Sequence, residues 1–457
     1  MQIKYLVVIV GILLISGCAC EQALIRAMKE NTVKAYNEFL EIHCKEGRCP
    51  KEAEIAKKQK EEAERREEDA CFEDAKKFNT IESYQSYLNQ YLQGRYTKEA
   101  KRLRTRLWLK TEMPFDRGIQ FLAQDMIALI KDISDPQLTV ISPFKISETG
   151  EEITDDVKIQ SLLSGSLSNY LTLIRMSFKG FEKAKFVIEG IIAPEANPEL
   201  FGQKDYHIYA ILYEKDTGKI IASGDTWIRA FDYRPKMIYK DSPIYLKDKD
   251  IDEDKKNPEL KPGDNIKELS KRASITDCDD FYERDQEKAA ACYEEQLQKG
   301  IEDMKIYSAL YSIYYSSGNL EKAKTNFGNL VKLGFEKNGN IEFKLLFAVN
   351  STRFITEELT RKYALWLEEI SRYLEQEKFC VRIIGHSSKT GNPNQLSRRR
   401  AETVQQIMAE TFPGIYKQSE VVGKGYEECI NCTIPDGPQN DIDRRVEFKI
   451  VPCEELK

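Results

Sequence analysis

The chain has 457 residues, of which 41% are hydrophobic and 32% charged, and its formal net charge is −6. This length is enough for about three or four domains with buried cores. The acidic balance argues against a nucleic-acid-binding protein that depends on a broad positive field.

The first residues combine one cation with a short apolar run. Lys4 precedes the run at 5–15, which is too short to cross a bilayer as a helix and predicts a secretory signal. The next residues, Ile-Ser-Gly-Cys at 15–18, resemble the bacterial lipobox. That resemblance implies a lipoprotein signal peptide over 1–18 and a Cys18 that carries fatty acyl chains such as palmitate. An ordinary signal peptide with a coincidental cysteine is the alternative.

The residue after Cys18 bears on localisation. Ala19 stands where relatives kept in the inner membrane carry Asp. The lipobox resemblance therefore implies an outer-membrane protein that is lipid-anchored and faces the periplasm. The apolar run at 5–15 is the longest in the sequence, so no membrane-spanning helix is expected.

A sequence repeat opens the mature region. The segment Asn31–Ala53 aligns with Asn79–Ala100 after a gap of one residue, sharing an Asn-Thr start, a Tyr, an aromatic-Leu pair and Glu-Ala. The two copies start 48 residues apart. This period predicts helical-hairpin repeats over 19–110. The segment between the two copies alternates charges, which predicts a solvent-exposed helix with no binding role.

The sequence pattern changes over 111–246. Helical and β-like segments alternate there, which predicts an α/β layer domain. The predicted elements are a helix at 119–133, a strand at 138–144, a helix at 157–176, a strand at 185–193 and a hairpin turning at Asp216-Thr217-Gly218. This layout, with VISPF and DTGKIIASG, resembles the small α/β domain of envelope-assembly lipoproteins. The resemblance implies no catalytic residues.

Two further segments follow. Residues 247–271 are highly charged and contain two prolines, which predicts a linker. Residues 272–338 resemble tetratricopeptide repeats, with aromatic and small residues at the helix-packing positions. Those positions are Tyr307, Leu310, Tyr314, Gly318, Ala323 and Phe327. Such repeats either hold a partner segment or serve only as spacers.

The last segment, 339–453, has β-α-β-α-β order. GHSSKTG, LSRRRA and DRRVEF stand at its turns. Order and motifs resemble the peptidoglycan-associated domain of the OmpA type. The whole chain is therefore predicted to be a multidomain α+β protein with helical-hairpin repeats, a central α/β layer domain, tetratricopeptide-like hairpins and a C-terminal βαβαβ OmpA-like domain.

The OmpA-type resemblance implies a site for the carboxylates of a peptidoglycan stem peptide. The arginine before Ala in the LSRRRA stretch, Arg400, is implied to bind a diaminopimelate carboxylate, and Arg445 lies near the same ligand. Ser388, Asn394 and Asn350 are the other implied contacts. A planar guanidinium suits this role because it can bind a carboxylate through two parallel hydrogen bonds. The helix start expected at Leu396-Ser397 would add unpaired N–H groups.

The sequence departs from the family pattern at three points. Ser388 replaces the usual ammonium-binding Asp, Ala348 follows Phe347 in place of an acid, and the 391–396 loop is short enough to shift Asn394. Loss of a charge-assisted bond costs about 1–3 kcal/mol, which predicts roughly 5- to 150-fold weaker diaminopimelate binding. Alternatively another carboxylate fills the gap, or the ligand differs. Arg398 and Arg399 are expected to be exposed on other helix faces.

Cysteines and histidines provide weaker signals. Eleven cysteines leave an even number after Cys18, as expected of an exported chain with disulfides. Cys44 and Cys49 are candidates to close a small loop. Cys429 and Cys432 have CxxC spacing, which predicts a loop disulfide, with a redox pair or half a zinc site as alternatives. His386 is expected to be a packing or turn residue, because no hydrolase elbow accompanies it.

Three functions remain open from sequence. The first is a non-enzymatic envelope lipoprotein without cofactors, tethering the outer membrane to peptidoglycan through Cys18 and Arg400. The second is an adaptor or assembly factor that binds envelope proteins through its repeats and α/β domain. The third is a redox protein that uses Cys429 and Cys432.

Overall fold

The computed structural model describes residues 19–111, 113–130, 133, 135–147, 149–153, 156–229, 235–246, 270–389, 391–428 and 443–456. Three predicted features lie outside these residues: the signal segment with Cys18, most of the linker, and the Cys429/Cys432 pair. The chain divides into two compact units with a boundary after Thr111. Within the described residues, no helix is both long and apolar enough to cross a membrane.

The first unit is helical. A helix at 19–30 (α1) precedes four others: α2 Val33–His43, α3 Pro50–Phe78, α4 Ile81–Gln90 and α5 Thr97–Lys110. The long α3 takes part in two separate apolar clusters, with Ala56 and Ala63 packed near α2 and Phe72 and Ala75 packed near α4. A disulfide joins Cys20 to Cys49, and Cys44 is a free thiol. The expected pairing of Cys44 with Cys49 is therefore wrong, because α1 brings Cys20 to Cys49.

The sequence repeat has the same local structure in both copies. Asn31 and Asn79 adopt positive φ angles of 51° and 48°. Each accepts a hydrogen bond on Oδ1 at 3.1 Å from the tyrosine five residues later, Tyr36 or Tyr84. The intervening threonine caps the next helix in each copy. The repeat is thus a helix–turn–helix corner in which Asn tolerates the left-handed backbone and also fixes the turn.

The second unit begins with the α/β region. Its helices are α6 Phe115–Ile130, α7 Asp156–Leu167, α8 Phe178–Lys183 and α9 Met237–Asp241. Its strands are β1 Gln137–Ile141, β2 Lys145–Ile146, β3 Leu171–Arg175, β4 Phe186–Ala196, β5 Lys204–Glu214 and β6 Ile220–Ile228. The main sheet order is β3-β1-β4-β5-β6, with β2 also paired to β4. The predicted hairpin is confirmed, since β5 and β6 are antiparallel.

One predicted helix is only half helical. A helix is predicted over 157–176, but α7 ends at Leu167 and Leu171–Arg175 forms the strand β3. Strand β3 runs parallel to β1, with Leu171 opposite Gln137. The β-branched Thr172 and Ile174 favour an extended chain, and β1 supplies the hydrogen bonds that a further helical turn would otherwise make.

Two helical hairpins follow. They consist of α10 Ser270–Tyr282, α11 Gln286–Gln298, α12 Met304–Ser316 and α13 Leu320–Asn338. The predicted linker end at 271 therefore overlaps α10 by two residues. A disulfide joins Cys278 of α10 to Cys292 of α11. Ala309, Ala323 and Phe327 are fully buried between α12 and α13, where small residues allow close helix approach.

The C-terminal region is a four-stranded sheet with two long helices. Its strands are β7 Asn340–Phe343, β8 Cys380–Gly385, β9 Ser419–Gly423 and β10 Val446–Val451, and its helices are α14 Glu357–Glu377, α15 Pro393–Thr411 and the short α16 Ile415–Gln418. The sheet order is β7-β10-β8-β9, with β8 parallel to β9. A disulfide joins Cys380 to Cys453. The mixed α+β class is confirmed.

The regions of the second unit are packed together. One apolar cluster runs from Tyr239 and Ile244 through α11–α13 to Phe448 of the C-terminal sheet. The backbone of Tyr245 donates to the carbonyl of Glu342 at 3.1 Å. The end of the α/β region therefore lies along the outer edge of β7. The domain boundaries predicted inside this unit stay predictions.

A candidate ligand-binding site around Arg400

Arg400 lies on the second turn of α15 and is buried, with 1% of its surface exposed. Its Nε donates to the carbonyl of Ser351 at 3.0 Å and Nη2 to the carbonyl of Ala348 at 3.2 Å. The guanidinium carbon lies 5.0 Å from the centre of the Phe347 ring. The loop that follows β7 is thus folded around this guanidinium.

That loop is itself a compact turn. The Ala348 N–H donates to the carbonyl of Arg353 at 2.8 Å. Asn350 adopts a φ of 53° and is exposed. A side-chain carbon on Gly391 would lie 3.1 Å from the Asn350 Oδ1 atom, so the loops after β7 and β8 touch. Asn350 therefore lies at the rim of the site and Arg400 beneath it.

The loop after β8 holds Ser388, which is buried with 3% of its surface exposed. The preceding Ser387 donates from its N–H to the carbonyl of Gly425 at 2.8 Å and from its hydroxyl to the carbonyl of Pro393 at 3.1 Å. Asn394 is exposed, and its side chain abuts Gly425. Three loops and the start of α15 therefore converge at this end of the sheet.

Helix α15 begins earlier than the sequence predicted. It starts at Pro393, and the Asn392 side chain accepts a hydrogen bond from the Gln395 N–H as its cap. The Leu396 N–H already donates to the carbonyl of Asn392 at 2.9 Å. The expectation of free N–H groups at Leu396-Ser397 is therefore wrong, because proline suits the first helical turn and asparagine the cap.

Arg445 has a carboxylate partner. Its Nε lies 2.8 Å from Oε2 of Glu342, and both residues are buried. Its Nη2 donates to the carbonyl of Glu428 at 3.2 Å. Glu342 was missed from the sequence, because it lies 103 residues from Arg445 and no local pattern pairs the two. Pairing reduces the attraction of Arg445 for a ligand carboxylate.

The structure thus brings together Arg400, Asn350, Ser388 and Asn394 around one end of the sheet. Arg445 joins them through the backbone, because its carbonyl accepts from the His386 N–H at 3.0 Å. Arg398 and Arg399 are exposed, as expected, and Arg398 pairs with Glu402 at 3.1 Å. The contributions of the Ser351 and Ala348 carbonyls had no sequence signal, since any residue can supply them.

Comparison with known proteins gave matches in structure alone. No family model matches the sequence, and no curated protein matches it. The chain is similar to the periplasmic domain of Helicobacter pylori MotB, with 16% identity and a TM-score of 0.20, over 24% of this chain and 74% of that one. It is also similar to an outer membrane protein from Borrelia burgdorferi, with 23% identity and a TM-score of 0.19, over 25% of this chain and 88% of that one.

A third likeness is to the peptidoglycan-associated lipoprotein from Burkholderia pseudomallei, with 20% identity and a TM-score of 0.19. It covers 23% of this chain and 86% of that one. At these identities and TM-scores, functional conclusions rest on the residues of this chain and not on the likenesses.

Proposed function

We propose that the chain is a non-catalytic lipoprotein that tethers the outer membrane to peptidoglycan. Acylated Cys18 would be held in the membrane, and residues 339–453 would bind the stem peptide. The observation that carries the proposal is the convergence of three loops at the end of the sheet where the loop after β7 holds the guanidinium of Arg400, with the exposed amides of Asn350 and Asn394 at the rim. Guanidinium and amide groups together suit a carboxylate-bearing peptide.

Burial of Arg400 defines how such a ligand would enter. The carbonyls of Ser351 and Ala348 occupy two of its donors. A ligand carboxylate would take the place of these neutral acceptors, because a charge-assisted hydrogen bond is about twice as strong as a neutral one. Entry then requires the loop at 348–353 to move aside.

The first test is a pulldown of the full chain with peptidoglycan sacculi. Replacing Arg400→Lys keeps the charge and removes the planar donor pair, so we expect the bound fraction to fall severalfold. Arg399→Lys is the matched control on the same helix, and its binding should equal wild type. Thermal unfolding of each variant establishes that it is folded. Undiminished pulldown of a folded Arg400→Lys chain would contradict the role of this arginine.

A gain-of-function test addresses the missing acid. Ser388→Asp restores a carboxylate for the ligand ammonium, and we expect about 5- to 150-fold tighter binding of a diaminopimelate-containing peptide. Ser388→Asn introduces a side chain of nearly the same shape as Asp but without its charge, and it should not gain affinity. Titration calorimetry of the two variants compares them directly. Equal affinities would mean that the ligand ammonium does not reach this position.

A second candidate function is an adaptor or assembly factor for an envelope machine. It is favoured by the 1% exposure of Arg400 and by the pairing of Arg445 with Glu342. Both features give the arginines a structural role that needs no ligand. Crosslinking in cells separates the two candidates, since an adaptor gives one dominant protein partner and no sacculus-bound fraction.

A further inference from the structure

His386, at the end of β8, is buried in an unusual way. It has 1% of its surface exposed. Neither ring nitrogen has a hydrogen-bond partner among the described residues. Buried polar atoms are nearly always hydrogen-bonded, and a missing bond costs about 1–3 kcal/mol. This imidazole therefore needs a partner of another kind.

Two carboxylates face the imidazole. Nε2 lies 3.6 Å from Oε2 of Glu447, and Nδ1 lies 3.8 Å from Oε2 of Glu428. Hydrogen bonds from nitrogen to oxygen are about 2.7–3.2 Å long, so both separations are too large. Ligands held about 2.1 Å from a tetrahedral zinc ion are about 3.4 Å apart. The Nε2–Glu447 separation therefore suits two ligands of one metal ion better than a hydrogen-bonded pair, while Glu428 faces the other ring nitrogen.

Each of the two carboxylates also has a partner on its other oxygen, Oε1. Oε1 of Glu447 accepts from Nδ2 of Asn340 at 2.5 Å, and Oε1 of Glu428 lies 3.2 Å from Nζ of Lys424. In both carboxylates the Oε2 atom is the one close to His386. Partners of this kind orient the ligands in known metal sites.

The charges and the access route also fit a cation. Arg445, which donates to the carbonyl of Glu428, is paired with Glu342 at 2.8 Å. An open groove across β8, β9 and β10 reaches Glu428 and Glu447. The Glu428 side chain is 48% exposed.

We propose that His386, Glu428 and Glu447 bind one divalent transition-metal cation, with Zn²⁺ as the preferred ion. The ligand atoms of these three residues lie within 4.8 Å of one another. Imidazole nitrogen and carboxylate oxygen are both ligand types that zinc accepts, and three protein ligands leave the fourth position to water. Because a single ion takes one ring nitrogen, rotation of the Glu428 side chain completes the set. The bound ion would tie the segment after β9 to β8 and β10. Cation binding by these three residues does not require that the chain binds peptidoglycan.

The test titrates Zn²⁺ into the purified, chelator-treated full chain by calorimetry. Every variant carries Cys429→Ser and Cys432→Ser, because CxxC thiolates bind zinc on their own. We expect one zinc ion per chain, with affinity at least tenfold weaker in Glu428→Gln. Glu427→Gln is the matched control, since Glu427 is exposed and adjacent, and it should bind like the parent.

A second readout keeps the test decisive. The thermal midpoint of the parent and of Glu427→Gln should rise with zinc concentration and fall again with chelator, because a ligand stabilises the state that binds it. Glu428→Gln should show little rise. His386→Gln should lose binding if circular dichroism shows it folded; otherwise Glu428→Gln decides. Absence of zinc binding in the parent, or equal affinity in Glu428→Gln, overturns the proposal.

Discussion

At the scale of single residues, the most informative side chains are those with two roles. Asn79 adopts a left-handed backbone at a φ of 48° and accepts a hydrogen bond from Tyr84. Asn31 and Tyr36 repeat both features. Few residues adopt this backbone easily, and alanine pays about 1–2 kcal/mol for it. The two asparagines thus fix the same turn in both copies of the repeat.

This geometry makes a prediction for three substitutions. Asn79→Ala loses both the favourable backbone and the hydrogen bond, so we expect the free energy of unfolding to fall by about 2–3 kcal/mol. Asn79→Gly and Tyr84→Phe lose chiefly the hydrogen bond and should each cost about 1 kcal/mol. Urea denaturation followed by circular dichroism measures all three. Equal costs for Ala and Gly would show that the backbone carries no strain.

At the scale of elements, the contact between β8 and α15 positions the candidate site. A side-chain carbon on Gly385 would collide with the carbonyl oxygen of Ser397. Glycine is therefore required where the strand passes under the helix that carries Arg400. The same close approach brings Ser387 and Ser388 beside the first turns of α15.

Gly385→Ala tests this packing, and Gly165→Ala is its control. We expect Gly385→Ala to lower the free energy of unfolding by about 3 kcal/mol, because helix and strand must separate. Gly165→Ala lies within α7, where an added carbon meets no atom within 4 Å. It should stabilise by about 0.5–1 kcal/mol through helix propensity. Thermal unfolding compares the two, and a neutral Gly385→Ala would contradict the close approach.

At the scale of the whole molecule, the second unit is held together by buried charges. Oε2 of Glu152 lies 2.6 Å from Nζ of Lys236 and its Oε1 lies 3.0 Å from Nζ of Lys305. Lys305 on α12 also pairs with Asp279 on α10. The network therefore links the α/β region to the helical hairpins. Removing one member leaves buried charge unbalanced, which costs about 3–5 kcal/mol.

The network predicts a dependence of stability on pH. Burial opposes the charged form of Glu152, but Lys236 and Lys305 outweigh it and hold the pKa of this carboxyl well below its usual range. A lowered folded-state pKa means that the stabilisation is present above the unfolded pKa of about 4.3 and lost as pH falls through the folded value. In Asp279, burial wins over Lys305 and raises the pKa. Its contribution therefore has the opposite sign.

Glu152→Gln isolates the first contribution. We expect this variant to be less stable than wild type at pH 7 and the difference to shrink as the pH falls below about 4. The control is Glu182→Gln, since Glu182 is exposed on α8. Its difference from wild type should stay small at every pH. Denaturation curves at several pH values measure both, and a pH-independent difference would show that Glu152 titrates normally.

Local patterns were enough to predict α6, β1, β4 and the β5–β6 hairpin, and to detect the Asn-Thr repeat. These features depend on residues close in sequence, where backbone preferences and hydrophobic periodicity act directly. The same local reasoning extended the helix at 157–176 too far, because pairing of β3 with a distant β1 outweighs helix propensity. It also paired Cys49 with the nearest cysteine instead of Cys20.

The tertiary structure alone decided what surrounds each arginine. Motif and residue type marked Arg400 and Arg445, but their partners are the Ser351 carbonyl and the Glu342 carboxylate, which lie far away in sequence. Burial of His386 between Glu428 and Glu447 had the same origin. Desolvation and charge pairing depend on distances in space, and a linear pattern contains no such distances.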